Sequence, residues 1–185
     1  PGKVSIRVSD ALLAQILTPY KLHCRYLKQA VVETPTGDRL TTDDAPPALA
    51  ILRGQLAIER SCHRDRPAEL GAVELNLAYN QIIYVLIAQC IIDARPAAFQ
   101  SWTLDEYRRR QLPDVLIHDF ACQFHSPVRP QAFEGLVAMK KAVQRRNFLL
   151  MKTYCAFRDD SGGFADGEVV LAIVDGESSR KNPAS

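Results

Sequence analysis

The sequence predicts an α+β fold in which one long helix is buried and wrapped by an antiparallel sheet. Three observations carry this. Residues 70–92, LGAVELNLAYNQIIYVLIAQCII, are apolar on nearly every face, with one carboxylate, Glu74, in the first turn. As a helix this stretch is roughly 33 Å long, and a soluble helix without a polar face has to be surrounded by other structure. Strand-like segments flank it on both sides. Near the C-terminus, DDSGG at 159–163 is a hairpin signal between two such segments.

Each element follows from local chemistry. Ser9 and Asp10 are N-cap residues before ALLAQIL, a short helix that stops at Thr18-Pro19. Residues 22–33 read as a strand followed by the turn-like TPTGD, and 38–47 as a polar loop ending in Pro46-Pro47. Residues 49–61, LAILRGQLAIERS, alternate like a long strand. HRDRPAE connects it to the buried helix. ARPAAFQSW breaks that helix, and LDEYRRRQ, capped by Thr103, forms a short exposed one. Four strands then follow, at 115–125, 133–147, 148–159 and from Gly167 onward. The order is helix, two strands, buried helix, short helix, four strands, a sheet of about six strands around one helix. This is the layout of a hot-dog fold. Residues 1–175 are expected to form a single domain and 176–185 a flexible tail. The outer face of such a sheet commonly takes a partner, so a homo-oligomer is expected.

Composition narrows the function. The chain has 185 residues, 47% hydrophobic and 24% charged, with net charge +2. That balance is ordinary for a soluble domain and gives no bulk attraction to nucleic acid. The apolar helix is long enough to cross a bilayer. However, Glu74, Asn76, Asn80, Gln81 and Gln89 lie within it, and a carboxylate at depth costs roughly 2.5–3.5 kcal/mol, so no membrane span is expected. PGKVSIRVSD lacks the apolar core of a signal peptide. Five widely spaced cysteines, Cys24, Cys62, Cys90, Cys122 and Cys155, without a CxxC, read as reduced thiols of a cytoplasmic protein.

Chemistry concentrates around the connector. His63 follows a predicted strand, and Glu74 opens the buried helix eleven residues later. A His–carboxylate pair in an apolar pocket is a tunable acid and base near neutral pH. Free N–H groups at the helix start, near Gly71 and Ala72, suit a developing oxyanion. The bland alternative is an exposed loop histidine and a carboxylate that only complements the helix dipole. Cys62 and His63 are adjacent, and neighbours on a strand face opposite ways, which argues against a Cys–His nucleophile. His118 and His125 are seven apart on a predicted strand, an odd spacing that argues against a shared metal. Arg108, Arg109, Arg110 and Lys140, Lys141, Arg145, Arg146 read as solvated surface, or as docking points for a phosphopantetheine phosphate or an acidic carrier protein. There is no GxSxG elbow, P-loop or GxGxxG, and neither metal nor cofactor is expected.

LTPYKLHCRYL (17–27), GAVELNLAYNQIIY (71–84), SWTLDEYRRRQLPDVLI (101–117) and FRDDSGGFADGEVVLAIV (157–174) together resemble the FcoT-like thioesterases, over about residues 10–175. The resemblance implies a hot-dog enzyme acting on long-chain acyl thioesters. It also implies a second reaction assigned to this family in isonitrile lipopeptide biosynthesis: conjugate addition of glycine to a (2E)-enoyl thioester on an acyl carrier protein. Tyr20 looks like the family's pocket tyrosine, and Glu74 and Asn80-Gln81 match its AVEL and NQ positions. Two positions depart from a thioesterase-type pattern. His63 replaces a tyrosine and Gly71 an asparagine, which favours proton transfer over hydrolysis. The implied scheme has Gly71 and Ala72 N–H groups holding the enolate oxygen, with Glu74 and His63 sharing the base and acid roles. Tyr20 positions the substrate, and Arg64 or Arg66 holds the glycine carboxylate. The alternative is a long-chain acyl-CoA thioesterase in which Glu74 activates water. A non-catalytic acyl- or lipid-binding module is the third reading.

Overall fold

The computed structural model describes residues 2–64 and 67–174. Arg66 and the expected tail at 176–185 lie outside the described residues.

The chain begins with an edge strand, β1 (Lys3–Arg7), followed by α1 (Asp10–Ile16). The Ser9 hydroxyl accepts the Leu12 N–H at 3.2 Å, the cap its sequence position predicts. Strand β2 (Leu27–Pro35) leads to a short hairpin, β3 (Leu40–Thr42) and β4 (Ala45–Ala48), and then to β5 (Ala50–Leu56). Helix α2 (Ala72–Ile92) crosses the molecule, and α3 (Leu104–Arg110), capped by the Thr103 hydroxyl on the Glu106 N–H, returns the chain to the sheet. Four long strands close the fold: β6 (Val115–Ser126), β7 (Phe133–Gln144), β8 (Phe148–Arg158) and β9 (Phe164–Val174).

Seven strands form one antiparallel sheet in the order β1-β2-β5-β7-β8-β9-β6. β7, β8 and β9 form a meander. β6 precedes them in the chain but pairs on the far side of β9. The sheet curls around α2, whose residues from Leu75 to Ile91 are mostly inaccessible to solvent. This is the hot-dog arrangement. α2 is long and apolar enough to cross a membrane, yet 78% of its most apolar window is buried inside the fold, the environment of a core helix.

The polar residues of α2 explain themselves once packed. The Gln81 Oε1 accepts the N–H groups of Tyr26 and Leu27 at 2.8 and 3.0 Å, and its Nε2 donates to the Cys24 carbonyl at 2.7 Å. Tyr79 meets the Thr153 hydroxyl at 2.8 Å. Each side chain satisfies buried groups that would otherwise cost about 1–3 kcal/mol apiece.

Three elements correct the reading from sequence. The main sheet has seven strands rather than about six, because residues 3–7 pair with β2. The strand expected from residue 22 begins at Leu27, since residues 22–24 make a single 3-10 turn that Gln81 ties to the helix. The loop expected at 38–47 contains the β3–β4 hairpin, which packs Leu40 and Ala48 against Ile51, Leu136 and Ala138 on the outer face of the sheet. Its Pro46 and Pro47 are tolerated because a two-stranded hairpin has two edges.

Candidate active site

β5 ends at Leu56, earlier than expected, and the chain from Ser61 to Arg64 forms a turn against the start of α2. The Ser61 hydroxyl accepts the N–H groups of His63 and Arg64 at 3.2 and 3.3 Å, a hydroxyl-to-backbone turn of the kind serine favours. The Tyr26 hydroxyl accepts the Cys62 N–H at 3.1 Å and anchors the other side of the turn.

Glu74 is the centre of this turn. Its side chain is fully buried, and both oxygens are engaged. Oε1 accepts the Ser61 hydroxyl at 2.6 Å and the Arg64 Nε at 3.3 Å. Oε2 accepts an Arg64 terminal nitrogen at 3.1 Å. Burial alone raises the Glu74 pKa. The hydrogen bonds from Ser61 and Arg64, the residue's own N–H and the Arg64 charge outweigh it, so the net shift is downward. Glu74 is therefore a carboxylate at neutral pH, next to the positive end of α2.

This fixes the state of His63. Its Nδ1 lies 3.1 Å from the Ser61 hydroxyl and 3.4 Å from Glu74 Oε1. The single hydroxyl proton of Ser61 goes to the carboxylate, so the Nδ1 contact needs a proton of its own. Nδ1 carries that proton, and in the neutral ring Nε2 holds the lone pair. The ring is 42% exposed. A buried anion orienting a solvent-facing imidazole is an arrangement for general base chemistry.

The first turn of α2 supplies the electrophilic side. Among the described residues, the N–H groups of Ala72 and Val73 have no acceptor within the chain, as helix starts dictate. Gly71 has extended backbone, so its lack of a side chain serves space rather than conformation. A Cβ there would stand 2.7 Å from both Arg64 and Glu74 Oε2. A larger side chain there would have to displace this ion pair.

The structure thus joins His63, Glu74, Arg64, Gly71 and Ala72, and adds Ser61. Tyr20 is half-buried against the core. That phenol feels the Tyr84 side chain, and burial and Tyr84 both push its pKa upward. Tyr84 lies ten residues beyond Glu74, about 15 Å along the helix. Arg64, one of the two arginines expected on the glycine carboxylate, is hydrogen-bonded to Glu74.

Strand alternation does not separate Cys62 from His63, because residues 61–64 are a turn. The Cys62 sulfur is 3.6 Å from His63 Nδ1. Nδ1 is already a donor toward Ser61 and Glu74, however, so it cannot serve as base for the thiol. Parity fails for His118 and His125 as well, since the β6–β9 register shifts around both. Among the described residues, no group of three ligating side chains gathers. Of the basic clusters, Arg110 is used structurally: it pairs with Glu106 and Asp114 and stacks 4.4 Å over the Trp102 ring.

The family model of the FcoT-like thioesterase domain matches residues 15–173. The chain belongs to that family. It is 37% identical over 170 residues to a (2E)-enoyl-[ACP] glycyltransferase of Streptomyces coeruleorubidus, covering 89% of this chain and 96% of that protein. A (2E)-enoyl-[ACP] glycyltransferase of Mycobacterium marinum is 30% identical over 171 residues, covering 90% of this chain and 87% of that one. A solved thioesterase family protein from Silicibacter pomeroyi is similar at 12% identity with a TM-score of 0.44, covering 88% of this chain and 98% of that one.

Proposed function

We propose that this FcoT-like protein adds glycine to the β-carbon of a (2E)-enoyl thioester carried on an acyl carrier protein, as a cytoplasmic step in isonitrile lipopeptide biosynthesis. The observation that carries the reading is the 37% identity, across 96% of its length, to a protein named for that reaction. The site geometry supports it. His63 Nε2 takes a proton from the glycine ammonium, and the freed amine attacks the β-carbon. The electron pair of the double bond moves to the thioester, and the enolate oxygen is held by the N–H groups of Ala72 and Val73. The α-carbon then receives a proton. Glu74 does not titrate in this scheme; it holds Nδ1 protonated and stabilises the imidazolium that forms. Arg64 or Arg66 holds the glycine carboxylate.

The thioesterase alternative asks Glu74 to activate water. A carboxylate with a lowered pKa and both oxygens occupied is a poor base for that. The long edge strand β6 exposes Leu116, Ile117 and Phe124. An exposed apolar edge invites strand pairing, and pairing of two β6 edges is the homo-oligomer we propose.

The test is mass spectrometry of a crotonyl carrier protein incubated with this protein, with and without glycine. A glycine-dependent gain of mass retained on the carrier is expected. Loss of the acyl group regardless of glycine would make the protein a hydrolase.

A further inference from the structure

The scheme above does not name the donor of the α-carbon proton. The imidazolium formed on His63 is one source, and a second titratable group on the same thioester would be another. Arg64 and the carboxylate are locked together. A second histidine–carboxylate pair lies at the same end of α2. An open cavity of about 390 Å³ is lined by Leu70 and Gly71 at the start of the helix and by Phe124, His125 and Ser126 of β6. Gly71 thus faces both the Glu74 cluster and a histidine from the opposite edge of the sheet.

His125 is built into this position. The β6–β9 register shifts between Phe124 and Ser126, and such an irregularity re-aims the residue within it. His125 Nε2 is 2.8 Å from Asp166 Oδ1. A carboxylate only accepts, so Nε2 carries the proton and Nδ1 is the free ring atom. Asp166 is held in turn: its Oδ2 accepts the Tyr154 hydroxyl at 3.0 Å. Burial, with that bond and the Asp166 charge, pushes the Tyr154 pKa up to about 12, so the phenol stays a donor. The imidazole stacks on Phe164 at 5.2 Å with 19° between the planes. A ring fixed on one nitrogen by a buttressed carboxylate and on one face by an aromatic is preorganised, with its remaining nitrogen available.

We propose that His125, positioned by Asp166, is the acid that protonates the α-carbon. This inference rests on the glycine-addition reading. The protonated ring donates its Nδ1 hydrogen to the α-carbon, and the enolate electron pair forms the new C–H bond. The neutral ring recovers a proton from solvent, and the proton taken by His63 returns there, so charge and atoms balance. His63 and His125 would then flank the thioester, one on the amine and one on the α-carbon.

The test uses crotonyl carrier protein and glycine in D₂O. The β-methyl makes the new β-carbon a stereocentre, so NMR of the product tells which face of the α-carbon received deuterium. Wild type is expected to give one diastereomer. His125→Asn is expected to fold with an unchanged Tm, to lose about 100-fold in rate, as removal of a general acid does, and to give both diastereomers. Asp166→Ala is expected to move both readouts the same way but less, and carries the test if the first variant does not fold. A His125→Asn rate within threefold of wild type, or a slow reaction that keeps one diastereomer, overturns the proposal. Failure of wild type to add glycine at all would instead overturn the function itself.

Discussion

Gly71→Ala probes the site most sharply, because the added methyl would have to displace the Arg64–Glu74 pair. The backbone at Gly71 (φ −93°, ψ 171°) suits alanine, so no conformational strain enters. The whole effect is steric. The new Cβ would lie 2.7 Å from the Arg64 terminal nitrogen and 2.7 Å from Glu74 Oε2. Glu74 is buried and cannot move freely, whereas Arg64 is 41% exposed and can swing out. The carboxylate then loses its charged partner while staying buried. Breaking a fully buried pair costs about 3–5 kcal/mol. Discounted for the exposure of Arg64, roughly 2 kcal/mol is expected here, or about 4–8 °C in Tm for a chain of this size.

The pH dependence identifies the cause. The folded-state pKa of Glu74 is lowered, so its contribution is present above the unfolded value near 4.5 and is lost as pH falls through the folded pKa. Denaturant unfolding of wild type and Gly71→Ala should therefore differ by about 2 kcal/mol at pH 7 and converge in acid. A difference below about 0.5 kcal/mol at pH 7, or one that persists unchanged in acid, would refute the packing argument.

Three further outcomes follow from the same contacts. Ser61→Ala removes the short hydrogen bond to Glu74 and the acceptor of two turn N–H groups; it should cost about 1–3 kcal/mol in urea unfolding and lower glycine addition more than tenfold by freeing His63. Gln81→Leu strands the N–H groups of Tyr26 and Leu27 and the Cys24 carbonyl, and should cost roughly 3–5 kcal/mol, whereas Tyr79→Phe leaves Thr153 still donating to the Val169 carbonyl and should cost about 1 kcal/mol. Native alkylation followed by mass spectrometry should label Cys62 first, because it is exposed while Cys24, Cys90 and Cys155 are buried.

What the sequence alone made legible was what a single physical signal controls. Helix α2 has no polar face, and that alone demands a wrapping sheet. The caps at Ser9 and Thr103 are local, and both formed. The pairing of His63 with Glu74 was legible because a short connector joins them. What stayed hidden depends on distant partners. Residues 3–7 become a strand only because β2 offers a free edge. The β3–β4 hairpin carries two prolines, which argue against a strand until its outer position is known. Ser61 looked like the last residue of a strand; its role comes from the turn that Tyr26 anchors. The nearness of Arg64 to His63 was visible in the sequence, while its fit to Glu74 was not. His125 was read by strand alternation, which the register shift interrupts.

The central claim is that an ionised Glu74 orients His63 as the base that activates glycine. Single-turnover formation of the β-glycyl carrier protein by wild type and His63→Asn, at saturating glycine and matched folding, tests it most directly. The account predicts a loss of about 10²- to 10⁴-fold with little change in Tm. Turnover of His63→Asn within threefold of wild type would contradict it.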